Sequence, residues 1–411
     1  MDNLNCTNIG ANFDIKKETE RIYPKVVEIR RRLHSHPELG EHEQNTSAFI
    51  CETLDSLGIP YKSGIAGYGV IAQIGHGSHA VGIRADMDAL PVTECTGLEF
   101  ASQTPGVMHA CGHDMHTSIL LGTGMLLKSL EGKIDAADGA VKLFFQPSEE
   151  TVGGAERMIK EGALVDPPVE AVIALHVDPY HAPGTTVLCY GPMNAQTQGF
   201  KILVHGKSCH GAHPDLGVDA IVMASDIVLS LQTLSSRFNA PTTPIIVTIG
   251  TMNAGTAANI IAGEVEMRGT MRALTPEVMD ANKKRFEELI KGVASGYGGS
   301  AEVIWASDGY PALINNDFVT DIVKESAAEL FGEDSIAIMK EPSLGGDDFA
   351  FFTKAVKGCY FNLGVTEPGA PVYALHNEHF SPSEEAMKTG IAVETLAALK
   401  LLGKMNRSTI D

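Results

Sequence analysis

The chain has 411 residues, 44% hydrophobic and 20% charged, with 42 Gly and 20 Pro, which excludes disordered and fibrous classes and leaves room for about two or three folding units. Its 31 basic and 51 acidic side chains give a formal charge of −20, so nucleic acid and an anionic membrane surface are excluded as expected partners, and a small molecule or peptide fits better. The seven cysteines (Cys6, Cys51, Cys95, Cys111, Cys189, Cys209 and Cys359) are widely spread with no Cys-x-x-Cys pair, which argues against a disulfide framework and for a reducing cytoplasm. The N-terminal Met-Asp-Asn-Leu-Asn-Cys-Thr-Asn lacks a basic start and an apolar run, and nowhere do about 18 apolar residues follow one another. A soluble, unexported protein is expected.

Apolar periodicity predicts a helix over Ile15 to Leu33, with Ile22, Val26, Ile29 and Leu33 on one face, and a second over Thr46 to Leu57. Short apolar runs at Gly69 to Ile74, Ala80 to Arg84, Val141 to Phe145 and Ala171 to His176 read as buried strands. Helices over His116 to Leu130 and Gly154 to Lys160 separate some of them, the pattern of an α/β layer with a mainly parallel sheet. From about Ala195 the texture changes: strands at Phe200 to His205, Pro244 to Ile249 and Glu264 to Arg272 alternate with helices at Asp219 to Leu234 and Pro276 to Val293, an α+β unit. After Ser307, Asn316 to Leu330, Cys359 to Leu363 and Glu384 to Leu402 restore the first pattern. Insertion of one domain into another is the economical description: residues 1–194 and 309–411 as the two segments of one domain and 195–308 as the insert.

Polar residues able to bind metal cluster at the ends of the apolar strands, where open α/β sheets place their ligand crevices. Arg84-Ala85-Asp86-Met87-Asp88 and Gln146-Pro147-Ser148-Glu149-Glu150 follow strands, His176 and Asp178 end a third, and His109-Ala110-Cys111-Gly112-His113-Asp114 precedes a helix. His376-Asn377-Glu378-His379 comes near the C-terminus. Singly each is weak, since a lone His is usually structural, a Glu pair is usually a solvated face and a Cys is often a small buried hydrophobe. Jointly they supply S, N and O donors suited to zinc or manganese.

Leu33-His34-Ser35-His36-Pro37-Glu38-Leu39, Arg84-Ala85-Asp86-Met87-Asp88-Ala89-Leu90-Pro91, the His109 to Asp114 and Gln146 to Glu150 segments, and Gly345-Gly346-Asp347-Asp348-Phe349 together resemble the amidohydrolase branch of the aminoacylase/carboxypeptidase metallopeptidase family. That branch includes hippurate hydrolase and the auxin-conjugate hydrolases. The resemblance spans nearly the whole chain. It implies a two-metal catalytic domain interrupted by an α+β lid that also dimerises, with Cys111, His113, Glu150, His176 and His376 as ligands of two divalent ions per subunit and Glu149 as general base. Zinc or manganese is expected, with cobalt or nickel as alternatives. Successive carboxylates point in different directions, so Glu150 can face a metal while Glu149 faces the reacting water. Asp86 and Asp88 read as supports that hold a ligand His in one tautomer, against a bland reading as solvated acids at a strand end. Gly206-Lys207-Ser208-Cys209-His210-Gly211-Ala212-His213-Pro214 resembles the family's lid motif, which makes His210 the group that polarises the scissile carbonyl in a partner's active site. Asn259 matches the lid Asn that contacts substrate, and Arg272 could fork a substrate carboxylate or form a strand-end salt bridge. His205 and His213 read as structural.

Gly75-His76-Gly77-Ser78-His79-Ala80 fits the dinucleotide fingerprint Gly-x-Gly-x-x-Ala, but a strand rather than a helix follows, so the fingerprint is rejected and the loop is expected to be a hairpin. Two departures from the family pattern stand out: Asp347 where Glu is usual, and Asn377-Glu378 where Ser-Pro is common. Neither removes a ligand. The expected activity is hydrolysis of the amide bond of N-acyl amino acids (N-acetyl, benzoyl or similar) by a homodimer or tetramer. The alternative is a dipeptidase or metallocarboxypeptidase on the same site. A non-catalytic binding protein is disfavoured because Cys111, His113, Glu149, Glu150, His176 and His376 are all present.

Overall fold

The computed structural model describes residues 13–306 and 309–405. The N-terminal octapeptide, Cys6 and the 307–308 boundary lie outside the described residues. The chain divides into two compact units. One comprises the chain up to Gly191, Ile314–Glu341 and everything from Phe351; the other comprises Pro192–Leu313 and Pro342–Ala350. No helix among the described residues is long and apolar enough to cross a membrane.

In the first unit helix α1 spans Ile15–Ser35, with Asp14 as a side-chain cap that accepts the Lys17 N–H. Its apolar stripe, Ile22, Val26, Ile29 and Leu33, is buried as its spacing demands. Helix α2 spans Gln44–Leu57 and α3 spans His113–Ser129. Almost all of α3 is buried, as is most of the C-terminal helix Ala386–Met405; α1 and these two pack on one another.

The strands β1 (Tyr61–Ile65), β2 (Gly69–Ile74), β3 (His79–Asp86), β4 (Gly139–Gln146), β5 (Val169–Asp178) and β6 (Thr186–Leu188) join Ile336–Ile338 and Lys357–Gly364 in one sheet. Its order is β1-β2-β4-β3-β5, then the 357–364 strand, β6 and the 336–338 strand. The middle, from β4 through β3 and β5 to the 357–364 strand, is parallel, while β1–β2, β2–β4 and the contact of β6 with the 357–364 strand are antiparallel. Every residue of β3 and β4 is buried, which accounts for the apolar runs in their middles, Ala80–Ile83 and Leu143–Phe145. The α/β fold with a mixed, mostly parallel sheet is therefore present. Because β3 and β4 run parallel with Asp86 opposite Gln146, the ends that carry polar motifs lie side by side.

The loop between β2 and β3 is not the expected hairpin. Strand β4 lies between them, antiparallel to β2 and parallel to β3. The loop crosses the start of β4 instead, with Gly77 N–H donating to Gly139 O and Ser78 N–H to Asp138 O, both at 3.0 Å. A Cβ on Gly77 would sit 1.9 Å from the Asp138 carbonyl carbon, so only glycine passes there. Local turn rules miss this because the intervening strand comes from some 60 residues downstream. The rejection of the dinucleotide fingerprint stands, since β3 follows directly.

The second unit is an antiparallel four-stranded sheet in the order Ile245–Ala254, Glu264–Ala273, Gln196–His205, Ser300–Trp305. Gln196–His205 alternates buried and half-buried residues along its length, the signature of a one-sided sheet. Helices Ala220–Leu231 and Pro276–Gly296 pack on each other and on the sheet around Phe200, Ile202, Met223, Met267 and Phe286. Residues 342–350 join this unit through Ser343 N–H to Met193 O at 2.8 Å and Ala195 N–H to Gly345 O at 2.9 Å.

Candidate metal centre

Five pieces of backbone bring the predicted donors and their supports together in the first unit. Beyond the end of β3 comes Asp88, beyond β4 come Ser148, Glu149 and Glu150, and His176 lies two residues before the end of β5. The fourth piece is the start of α3. Gly112 caps that helix at φ 83°, and a Cβ there would lie 2.5 Å from Val177, so the left-handed glycine is what lets Cys111 and His113 close on β5. His376 arrives on a loop and is tied back by its N–H to Ala110 O at 2.8 Å.

Cys111 Sγ lies 3.4 Å from His176 Nε2, and Glu150 Oε1 lies 3.2 Å from His376 Nε2 and 3.9 Å from His113 Nε2. The donor atoms of Cys111, His113 and His176 fall within 4.8 Å of one another, as do those of Cys111, Glu150 and His376, and those of His113, Glu149 and Glu150. His113 Nε2 and Glu150 Oε1 are buried without a partner of hydrogen-bond geometry. Facing, desolvated and unsatisfied donors of this kind fit a divalent cation, whose coordination would satisfy both.

The orientation of the rings agrees with that fit. Asp88 Oδ1 meets His113 Nδ1 at 3.2 Å, while Asp88 Oδ2 accepts the Glu150 N–H at 2.9 Å. His176 donates from Nδ1 to Val177 O at 2.8 Å, so its Nε2 faces Cys111 as a lone pair. Asp86 behaves differently from Asp88. Its short bonds go to Arg84 Nη1 and His116 Nδ1, both at 2.6 Å, and it stands 3.7 Å from His113 Nε2.

Burial alone would keep His113 neutral, yet the carboxylates of Asp86, Asp88 and Glu150 outweigh it and push the ring up to about 10. Burial, reinforced by Glu150, Glu149 and Asp86, holds the Cys111 thiol far above its ordinary value. Burial pushes His176 down to about 4. The pocket thus carries an excess of carboxylates whose counter-charge is the His113 imidazolium, the electrostatics of a site built for a stronger cation.

Sequence reasoning missed His116. The Val177 N–H donates to its Nε2 at 3.0 Å, so the proton of this ring sits on Nδ1 and goes to Asp86. His116 therefore links Asp86 to the backbone beside His176 and does not offer a lone pair to a metal. Also missed was His34, buried with Nδ1 2.8 Å from Asp114 and Nε2 3.2 Å from Glu94; Arg30 lies 2.9 Å from Asp114. These ion pairs fix the residue after His113. The Leu33 to Leu39 motif was the available signal for His34, while His116 hid inside a helix pattern.

In the second unit His210 and Asn259 are brought together: His210 pairs with Ile260 in a two-stranded ribbon, and Gly211 N–H donates to Asn259 O at 2.8 Å. His210 is exposed, and its Nδ1 accepts the Ala212 N–H at 3.1 Å, which leaves the neutral ring's proton on Nε2. Arg272 lies apart on the 264–273 strand, where Nη1 donates to Leu344 O at 3.3 Å.

Comparison with known proteins agrees in kind. The chain is 38% identical over 343 residues to the N-acetyl-L-cysteine deacetylase of Bacillus subtilis, covering 83% of this chain and 80% of that one. It is 36% identical over 397 residues to thermostable carboxypeptidase 1 of Saccharolobus solfataricus, covering 95% and 98%. The crystal structure of Bacillus subtilis YXEP, a dinuclear metal binding peptidase from the M20 family, superposes with a TM-score of 0.81 at 31% identity, covering 93% of this chain and 99% of that one. With the family's sequence model matching residues 82–400, the chain belongs to peptidase family M20/M25/M40.

Proposed function

We propose that the protein is a metal-dependent amidohydrolase that cleaves the amide of N-acyl amino acids to a carboxylic acid and a free amino acid. The observation that carries this reading is the pair of unsatisfied buried atoms, His113 Nε2 and Glu150 Oε1, with the Glu149 carboxylate within 4.8 Å of both donor groups. Cys111 belongs to two donor groups, one with His113 and His176 and one with Glu150 and His376, so these five residues would hold the divalent ions. The set of S, N and O donors suits zinc or manganese.

When bound, such ions acidify a water and polarise the scissile carbonyl. Glu149 takes a proton from that water as its oxygen adds to the carbonyl carbon, then returns it to the amide nitrogen as the C–N bond breaks. One water is consumed and Glu149 ends as it began. Asp88 holds His113 and the Glu150 backbone in place. His210, with its proton on Nε2, is suited to donate to the oxyanion, and Asn259 beside it to contact substrate. We assign His210 to the partner subunit's cleft in a homodimer; the exposed Ile221, Val222 and Leu229 on helix Ala220–Leu231 support a surface that is covered in an oligomer. Arg272 remains a candidate for the substrate carboxylate. The deacetylase relative favours an acyl amino acid as substrate, and the carboxypeptidase relative favours the second reading, a peptide. A hydrolysis screen of N-acetyl, N-benzoyl and dipeptide substrates with zinc, manganese, cobalt or nickel distinguishes them: turnover confined to dipeptides would replace the first reading by the second.

A further inference from the structure

The first turn of α2 has free N–H groups that need acceptors, and Glu43 sits at its N-cap. Yet the Glu43 side chain makes no bond to its own helix. Glu38 does that work: its Oε1 accepts the Asn45 N–H at 3.2 Å, and its Oε2 accepts the Thr46 N–H at 2.8 Å and the Thr46 hydroxyl at 2.9 Å. Glu43 is thereby released from capping. Fully buried, it turns to the loop after β4, where its Oε1 accepts the Ser148 N–H at 2.7 Å, with the Ser148 hydroxyl at 3.3 Å.

Ser148 has φ 61°, in the left-handed region that a residue with a Cβ enters only under constraint. All its polar groups are engaged. Besides the N–H on Glu43, its hydroxyl oxygen accepts the Glu41 N–H at 2.9 Å and its carbonyl accepts the Gly153 N–H at 2.9 Å. Glu149 and Glu150 follow immediately, and the Glu150 N–H is held by Asp88. The turn that aims the two acids is therefore clamped at both ends by buried carboxylates. Glu43 Oε2 has no hydrogen-bond partner, so this hold carries a desolvation cost that a neutral residue at an N-cap would avoid. An expensive group holding an unfavourable backbone conformation, next to the proposed base, is a functional arrangement rather than a generic core contact.

We propose that Glu43 is a positioning residue for hydrolysis, whose carboxylate keeps Ser148 in the left-handed conformation from which Glu149 faces the reacting water and Glu150 the metal. This rests on the assignment of Glu149 as base. A change in the Ser148 dihedrals would swing Glu149, whereas Glu150 stays tied through its N–H to Asp88, so the effect falls on turnover rather than on substrate affinity or metal content.

The test uses the full-length, metal-loaded protein, an N-acyl amino acid that the wild type hydrolyses, and the variants Glu43→Gln, Glu43→Asp, Glu43→Ala and Glu43→Ala with Ser148→Gly. Glu43→Gln keeps the acceptor oxygen and should stay within about threefold of wild-type kcat. Glu43→Ala and the shorter Glu43→Asp should lose about tenfold or more in kcat, with KM and metal content within about twofold of wild type. Ser148→Gly in the Glu43→Ala background should recover at least about threefold, because glycine takes the left-handed conformation without help. Equal kcat for Gln and Ala variants, a loss shared by KM and metal content, or no recovery by Ser148→Gly each overturns the proposal. If Glu43→Ala does not fold, Glu43→Asp against Glu43→Gln makes the same comparison. A crystal structure of the Ala or Asp variant separates the two layers of argument. An unmoved Ser148 turn refutes the hold by Glu43, whereas a moved turn with unchanged kcat overturns the proposal through its premise, that Glu149 is the base.

Discussion

Asp88 meets His113 through Nδ1 at 3.2 Å, which leaves the other nitrogen of that ring facing Glu150 Oε1 across 3.9 Å. The same carboxylate holds the Glu150 backbone, so one acid orients two donors. Asp88→Ala should therefore weaken metal retention by about 10 to 100-fold, read by competition with a chelator. Wild-type retention in that variant would refute the orienting role.

Glu149→Gln should keep its metal while turnover falls by at least about a hundredfold, since a proton carrier is lost but no ligand. Glu150→Gln should lose metal instead. Elemental analysis of the two variants reads the distinction, and the reverse pattern would exchange their roles.

Metal uptake should release protons. Without a cation His113 titrates near 10 and the Cys111 thiol is held above its usual value, so at neutral pH both carry a proton that a bound ion must displace. Apparent affinity should accordingly rise with pH, and adding zinc or manganese to the metal-free protein in weak buffer should acidify the solution. A pH-independent affinity between 6 and 8 would contradict this, with those limits marking roughly the range in which the protons are still bound.

Glu394, wholly buried in the C-terminal helix, accepts the Thr123 hydroxyl at 2.9 Å, and burial pushes its carboxyl up to about 8 from an unfolded value of 4.5. Between those values the folded state holds a proton that the unfolded state has released. Stability from this group is thus intact at low pH and falls as pH rises toward 8, by at most about 1.4 kcal/mol per pH unit. Glu394→Gln keeps an acceptor for Thr123 and should flatten the decline, seen as a smaller difference between denaturant midpoints at pH 5 and pH 8, roughly the ends of the window.

His210→Ala and Glu149→Gln should each be nearly inactive as homodimers, a missing oxyanion donor costing about a hundredfold to a thousandfold. Random exchange of equal amounts should recover about one quarter of wild-type activity, because half the dimers are mixed and each mixed dimer has one intact cleft. Demonstrated subunit exchange without recovery would return His210 to its own subunit or to a structural role.

Much of this was legible in the sequence because the relevant forces are local. Short apolar runs placed β2 and β4, and 3.6-residue apolar spacing placed α1 and the Pro276–Gly296 helix, within a few residues, since each element's burial is written into its own segment. Some donor-bearing motifs could be noticed because they end apolar strands, and parallel strands bring such ends together, while the individual ligands were named from the family resemblance. What lay beyond the sequence is what depends on partners distant along the chain. The insertion of β4 between β2 and β3, the short strand β1, and the return of residues 342–350 to the second unit depend on contacts with no local period. So do the roles of neighbouring acids. Asp86 and Asp88 look alike two residues apart, but the fold gives one to Arg84 and His116 and the other to His113 and Glu150. Glu43 looks like a helix cap until tertiary structure lets Glu38 replace it and sets its carboxylate under Ser148, 105 residues away, because a buried N–H takes whichever acceptor the packing brings within reach.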